Sequence, residues 1–253
     1  MTSELVDGSI FLHVPKTGGM WVSQVLSEMG LIKQRIGRHP HTAFERACIF
    51  PNGKRRWKEL GRAENWKPSN LLRPGVDMKI PFTFCFVRHP VRWYESWWRY
   101  LKGKQSIPWL ETAINKEQRL KRWDPFSVPA AAFCSDFNEF VSRMLKAFPG
   151  YVTWMYGHYA VPESGFVGKQ ENLRNDLMRA LTMRGLAFDV EHLMKQPFIN
   201  EAGHKKESIQ WDEGLLRDVQ DAERSTMIRY NYAVLGSDEM KTPARLVEPS
   251  VGL

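Results

Sequence analysis

Five consecutive residues near the start of the chain, Pro15-Lys16-Thr17-Gly18-Gly19, have the composition of an anion-binding loop. A short apolar run precedes them and a helical pattern follows, so the loop would end at a helix N-terminus. There the backbone N–H groups are unpaired and the helix dipole adds partial positive charge. The two glycines let the backbone approach an anion closely, while the lysine adds a charge and the threonine a hydroxyl. These residue types and this spacing predict binding of a phosphate or sulfate group.

The order of residues in this loop differs from the Walker A pattern, G-x-x-x-x-G-K-[ST], because Lys16 precedes the glycines. A P-loop-type kinase or nucleoside triphosphatase would also need a magnesium-holding hydroxyl directly after the lysine, inside the helix. Such an enzyme is the alternative hypothesis, and it predicts magnesium-dependent turnover of ATP.

A second cluster of phosphate-binding residue types runs from Val87 to Ser96, with the sequence V-R-H-P-V-R-W-Y-E-S. Arg88 follows an apolar run, and Arg92 and Ser96 are four residues apart on one face of a predicted helix. A guanidinium beside a hydroxyl binds phosphate well. Taken alone, an arginine at a helix start also forms local salt bridges, so this cluster gains weight only together with the first loop.

Two strand-loop-helix units position these residues. The first is a strand over Ser9 to Val14 and a helix over Met20 to Met29; the second is a strand over Phe82 to Val87 and a helix from Val91 to about Leu101. Alternating strands and helices predict one three-layer α/β domain, with a mostly parallel sheet and helices on both faces. Ligands of such sheets bind at the carboxyl ends of the strands, so both motifs are expected to face one ligand.

The rest of the chain is expected to complete the same domain, over residues 1–253. Long irregular stretches at 53–81 and 102–129 are predicted to line the acceptor site. The further elements expected are a strand over Ser164 to Gly168, helices over Asp136 to Phe148 and Asn172 to Gly185, and a two-piece helix over Trp211 to Tyr232.

Composition narrows the classes of protein. The chain has 253 residues, 43% of them hydrophobic, and no stretch approaches the roughly 18 apolar residues of a membrane span. Its first residues lack the basic cluster of a secretory signal, which favours a cytoplasmic location. Cys48, Cys85 and Cys134 have no metal-binding spacing, and no metal is expected. The net charge of +8 favours anionic partners, so a non-enzymatic nucleic-acid-binding protein is a further alternative.

Together the two motifs resemble those of sulfotransferases that use 3′-phosphoadenosine 5′-phosphosulfate (PAPS). The first loop of that family is similar to P-K-[ST]-G-[GT]-x-W, and here Pro15 to Trp21 reads P-K-T-G-G-M-W. The second is similar to [VL]-R-x-P-x-x-R-x-x-S, with one more residue before the serine here. A fainter likeness lies near Val167 to Asn172. The resemblance implies a fold like that of P-loop nucleoside triphosphatases and transfer of a sulfuryl group to a hydroxyl or amine of a carbohydrate or small molecule.

The resemblance also implies residue roles. Lys16, Thr17, Gly18, Gly19, Met20 and Trp21 would bind the 5′-phosphosulfate of PAPS, and Arg88 and Ser96 the 3′-phosphate. Lys16 would stabilise the leaving oxygen, and the segment from Asn200 to Lys206 would replace a missing C-terminal R-K-G. A base histidine often lies after the first helix in that family. Here that predicts His41, which precedes a predicted helix near Thr42, with His39 as the second choice.

Overall fold

A computed structural model of the chain describes residues 1–37, 41–43, 81–103, 127–159, 161, 165–199 and 209–236. The irregular segments predicted at 53–81 and 102–129 lie almost entirely outside the described residues. His39, Cys48 and the segment from Asn200 to Lys206 lie outside them as well.

The described strands form one open, mixed sheet in the order β3-β1-β2-β4-β5. Strand β4 pairs in parallel with β2 on one side and with β5 on the other, whereas β1 is antiparallel to both β2 and β3. The strands are β1 (Ser3–Leu5), β2 (Ile10–Leu12), β3 (Ile32–Arg35), β4 (Thr83–Val87) and β5 (Phe166–Lys169).

The prediction of a mostly parallel sheet therefore holds for β2, β4 and β5 only. The cause lies in the connection from β1 to β2, which is a tight turn closed by a bond from the Leu5 amide to the Ser9 carbonyl, with Gly8 at φ 83°. Strands joined by so short a turn pair antiparallel, because a parallel pair needs a long crossover.

Nine α-helices lie in the described ranges, and a 3₁₀ turn at Gln170–Asn172 follows β5 directly. None of these helices is long and apolar enough to cross a membrane. The helices are α1 (Gly19–Glu28), α2 (Pro90–Lys102), α3 (Ser127–Ala132), α4 (Phe137–Ala147), α5 (Tyr151–Gly157), α6 (Leu173–Met183), α7 (Val190–Lys195), α8 (Glu213–Ala222) and α9 (Arg224–Arg229).

Helices cover both faces of the sheet, as predicted, because side chains along each strand alternate between two apolar clusters. Cys85 and Val87 of β4 pack into a cluster with α2, α4, α5 and α8, whereas Phe84 and Phe86 pack into a second cluster with α1, α6 and α7. Alternation with a period of two is the geometric property of a strand. The result is a three-layer α/β arrangement with the sheet between two cores.

Apart from the helix expected near Thr42, each helix and strand predicted in the described ranges is present, with ends shifted by a few residues. The two-piece helix is α8 and α9, and Asp136 caps α4 by accepting a hydrogen bond from the Glu139 amide. Residues 42 and 43 are not helical, and the rest of the helix predicted near Thr42 lies outside the described residues.

Candidate functional site

The carboxyl ends of the three parallel strands bring three loops together at one edge of the sheet. Residues 13–18 follow β2, Arg88 and His89 follow β4, and the turn containing Glu171 follows β5. The guanidinium of Arg88 reaches the carbonyl oxygen of Lys16 at 3.5 Å. The two anion-binding motifs, far apart in sequence, are therefore in contact.

The first loop has two residues with positive φ, and side-chain hydrogen bonds to its carbonyls stabilise it. Lys16 has φ 65° and Gly18 has φ 84°, so both lie in the left-handed region. For a lysine this costs on the order of 1–3 kcal/mol, and such strain is concentrated at functional sites. The Thr17 hydroxyl donates to the Val14 carbonyl at 3.0 Å, and the Trp93 indole donates to the Pro15 carbonyl at 3.1 Å. The Thr17 side chain thus holds the loop in shape.

Three amides at the start of α1 point out of the helix. The first intrahelical bond runs from Val22 N to Gly18 O, and Gly18 supplies no side-chain cap. The N–H groups of Gly19, Met20 and Trp21 therefore have no partner within the helix, as at any uncapped N-terminus. They are the donors that the sequence pattern predicted for this end of the helix.

The side chains of the residues after Gly19 do not line this loop together. Met20 is 59% exposed, whereas the Trp21 indole is buried and contacts the Phe198 ring at 5.0 Å between centroids. Trp21 belongs to the core of α1, α6 and α7. The Trp21 indole is thus a core side chain, and the two residues can serve an anion through their amides.

Both glycines of the loop are required by packing. A Cβ on Gly19 would lie 2.1 Å from the His13 ring, and a Cβ on Gly18 would lie 2.6 Å from the Leu173 side chain. Contacts this short are not tolerated between real atoms, so either substitution forces His13 or the start of α6 to move. The loop is thus seated against both β2 and α6.

The Lys16 side chain turns toward the aromatic face of α2. Its ammonium nitrogen lies 4.3 Å from the centroid of the Tyr100 ring and 5.9 Å from that of Trp97. The pKa of Lys16 is lowered to about 7, mainly by burial and secondly by the nearby positive charge of Arg88. An anion bound beside this group would restore the charged form, because opposite charge raises the pKa of a lysine.

Arg88 presents its guanidinium to the loop with donors to spare. Its Nη1 donates to the Lys16 carbonyl, while its Nε is buried and has no hydrogen-bond partner in the part of the chain that the structure describes. Burial lowers the pKa of Arg88, and the carboxylates of Glu171 and Glu95 act in the opposite direction. An unsatisfied buried donor in a native fold calls for an explanation, and a bound anion supplies one.

The turn that carries Arg88 is fixed by residues that the sequence motifs did not include. The Tyr156 hydroxyl accepts from the Arg88 amide at 3.0 Å and donates to the Arg88 carbonyl at 2.9 Å. The Glu171 carboxylate accepts from the His89 amide at 2.8 Å and from the Tyr232 hydroxyl at 3.2 Å. The signal for Glu171 was its place after β5, which becomes adjacent to Arg88 only when β4 and β5 pair.

His89 has an orienting role. Its Nδ1 accepts from the Val91 amide at 3.2 Å and caps α2, and its Nε2 lies 2.9 Å from the Ala233 carbonyl. Both bonds suit a neutral ring with the hydrogen on Nε2, and burial lowers the pKa of His89 accordingly. Pro90 stands in the first turn, where a proline is tolerated.

The remaining residues of the second motif behave differently from one another. Arg92 pairs with the buried Glu95 carboxylate at 3.4 Å, and Glu95 also accepts from Arg99 and from the Trp211 indole. Ser96 is half-buried, two turns into α2, and no hydrogen bond joins its side chain to another described residue. The structure therefore brings Lys16 and Arg88 into contact, whereas no hydrogen bond links the Ser96 side chain to either of these residues.

His41 lies beside the first loop. Its Nδ1 is 2.9 Å from the His13 carbonyl, its ring meets the His13 ring edge-on at 4.5 Å, and its carbonyl accepts from the Tyr159 hydroxyl. Because a carbonyl only accepts, Nδ1 carries the hydrogen, and in the neutral ring Nε2 holds the lone pair. This is the tautomer that a proton acceptor needs.

Comparison of the chain with models of known protein families, with curated proteins and with solved structures gives no match. The chemistry of the site therefore has to be argued from its own residues.

Proposed function

We propose that this protein is a sulfotransferase that binds PAPS at the edge formed by β2, β4 and β5. The observation that carries the proposal is the contact between the Arg88 guanidinium and the Lys16 carbonyl, because it joins two anion-binding motifs into one site. A nucleotide with anionic groups at both its 5′ and 3′ positions needs two such groups of donors. A single phosphate would need only the first.

The loop supplies what a 5′-phosphosulfate requires. The amides of Gly19, Met20 and Trp21 are unpaired within the helix. Lys16 precedes them in the same loop, and its carbonyl accepts a hydrogen bond from Arg88. Charge that develops on a leaving oxygen is best stabilised by donors that are already in place. Arg88 has a buried Nε to offer the 3′-phosphate, and Ser96 is the further donor that the motif predicts.

The transfer would proceed with one bond formed and one broken. The acceptor oxygen or nitrogen attacks sulfur, and the bond from sulfur to the bridging oxygen breaks, leaving its electron pair on the phosphate oxygen. Lys16 stabilises that oxygen by hydrogen bonding. The acceptor's proton passes to Nε2 of His41, whose Nδ1–H stays on the His13 carbonyl. Proton transfer to a positioned base is worth about 10²–10⁴-fold in rate.

The decisive experiment uses Lys16→Ala with radiolabelled PAPS and a panel of phenols, amines and saccharides as acceptors. We expect Lys16→Ala to abolish transfer of label while circular dichroism shows a folded protein. Lys102→Ala is the matched control, because Lys102 also lies over a ring, that of Trp98 at 4.5 Å, but outside the loop. Transfer that survives in Lys16→Ala would remove the assignment.

The same protein separates the alternatives. Turnover of ATP that depends on magnesium, with no binding of adenosine 3′,5′-bisphosphate, would establish the kinase or triphosphatase instead. Affinity for DNA or RNA that falls steeply with salt, and that Lys16→Ala leaves unchanged, would establish a nucleic-acid-binding protein.

A further inference from the structure

Lys16 is a half-buried lysine, and it has no acidic partner among the described residues. In the ranges that the structure describes, no carboxylate lies within salt-bridge distance of its ammonium nitrogen. The groups that face it are the Tyr100 ring at 4.3 Å and the Trp97 ring at 5.9 Å, both on α2. The nearest charge acting on it is the positive one of Arg88.

This arrangement differs from that of two arginines on α2. Arg92 and Arg99 each reach the Glu95 carboxylate. Helix α2 thus carries a carboxylate that pairs with these two cations, yet it presents rings to Lys16, as it does to Lys102. A ring face attracts a cation through its quadrupole and fixes its position without neutralising it.

We propose that Tyr100, supported by Trp97, is a positioning residue that holds the Lys16 ammonium as an unneutralised cation, so that the bound anion becomes its counter-ion. A carboxylate in the same place would have to be displaced before the anion could bind, whereas a ring face competes with no anion. The two rings are themselves in contact, with centroids 5.6 Å apart. This inference rests on the proposed function only for the identity of the anion.

The titration of Lys16 agrees with this geometry. Burial and the Arg88 charge lower the pKa of Lys16 to about 7, and these are the two causes that act on it. The free protein near neutral pH therefore holds a mixture of charged and neutral lysine. Binding of an anion draws a proton onto Lys16, and its affinity falls as the pH rises above about 7.

The test compares Tyr100→Phe, which keeps the ring, with Tyr100→Leu, which removes it at similar size. Calorimetry with adenosine 3′,5′-bisphosphate at pH 7 is expected to show affinity within about twofold of the parent protein for Tyr100→Phe. For Tyr100→Leu we expect a loss of about three- to tenfold, the range for a partly desolvated cation over a ring. Trp98→Phe is the control, since Trp98 holds Lys102 instead.

A second readout needs no nucleotide. The ¹³Cε resonance of Lys16, assigned with Lys16→Arg, reports its titration in the free protein, and its midpoint should fall in Tyr100→Leu but not in Tyr100→Phe. Equal behaviour of the two variants, or an unchanged midpoint in Tyr100→Leu, would overturn the role of the ring. Absence of bisphosphate binding by the parent protein would refute the proposed function and leave this titration as the test of Tyr100.

Discussion

The tautomer of His41 is set by one backbone atom. The His13 carbonyl takes the hydrogen of Nδ1, and His13 is fixed by its place at the end of β2 and by Gly19 against its ring. A base whose second nitrogen is so held keeps its orientation through the reaction. The direction of His41 is therefore tied to the same loop that carries Lys16.

We expect His41→Ala to lower the rate constant for transfer by about 10²–10⁴-fold, because the acceptor's proton then has no positioned base. Affinity for adenosine 3′,5′-bisphosphate should stay within about twofold of the parent protein, since the His41 ring bonds the His13 carbonyl, which precedes the phosphate-binding residues of the loop. Single-turnover kinetics and calorimetry measure the two quantities. His39→Ala serves as the matched control, and a rate loss confined to His39→Ala would move the base to that residue.

At the scale of residues, the sequence predicted which residues lie at the site better than it predicted where their side chains point. Lys16 and Arg88 follow the apolar runs that become β2 and β4, so their meeting followed from strand pairing. Trp21 was different: helical spacing allows its ring to face either the loop or the core, and packing against Phe198 puts it in the core. Glu171 lies in the segment from Val167 to Asn172, where the likeness is faint, and its bond with the His89 amide could be recognised only once β4 and β5 are known to pair.

At the level of elements, the position of Arg88 depends on the turn that leads from β4 into α2. Tyr156 of α5 holds both polar groups of the Arg88 backbone, and Glu171 holds the next amide. Burial raises the pKa of Tyr156 well above its usual range, so its hydroxyl remains a donor at every working pH. The position of the Arg88 guanidinium thus depends on a backbone that α5 and the turn after β5 hold in place.

Removing that hydroxyl should misalign Arg88 without unfolding the protein. Tyr156→Phe removes both hydrogen bonds to the Arg88 backbone, and we expect about a five- to tenfold weaker affinity for adenosine 3′,5′-bisphosphate through misalignment of the guanidinium. Arg88→Ala should cost more, roughly 1.5–3 kcal/mol, because a charged donor is lost. Tyr94→Phe is the matched control: this buried tyrosine donates to Glu223, away from the loop, so it should lower stability and spare binding. Equal binding losses in both tyrosine variants would contradict the role of Tyr156.

Helices and strands with a clear period were predicted from the sequence, whereas the short strands β1 and β3 were not. Strand β4 has five consecutive buried residues between breaks, and α2 has a wide apolar face. Strand β1 has three residues, Ser3–Leu5, too few for alternation to be recognised. Its antiparallel pairing depends on the turn at Gly8, and that turn is what makes the sheet mixed.

For the whole molecule, the site carries a cost in stability. The pKa of Lys16 in the folded protein, about 7, lies below its value of 10.5 in a flexible chain. The unfolded chain therefore binds more protons between these two values, so stability rises with pH across that interval. The penalty is fully present below about pH 7 and vanishes above about pH 10.5.

Lys16→Met, which removes the charge and keeps the length, should accordingly raise Tm by at least about 2 °C at pH 6, the scale of about 1 kcal/mol in a chain of this size. The gain should shrink steadily toward pH 10. Calorimetric melting of both proteins across this range measures the difference. Lys102→Met should show no such trend, and a pH-independent gain in Lys16→Met would mean that the lysine charge is not the cause.

The parallel pairing of β2, β4 and β5 also governs when the loop can acquire its shape during synthesis. Strand β2 ends at Leu12, but its neighbour β4 begins at Thr83, and β5 and Leu173, which abuts Gly18, come later still. Contacts this distant along the chain form slowly, because the entropy of closing a long segment is lost before the contacts contribute any stability. On a translating ribosome β1, β2 and β3 can pair early, whereas the loop after β2 would lack its contacts with Arg88 and Leu173 until the chain beyond Leu173 has emerged. A protease present during translation would cut at this loop, whereas the same loop in the finished protein is closed on two sides.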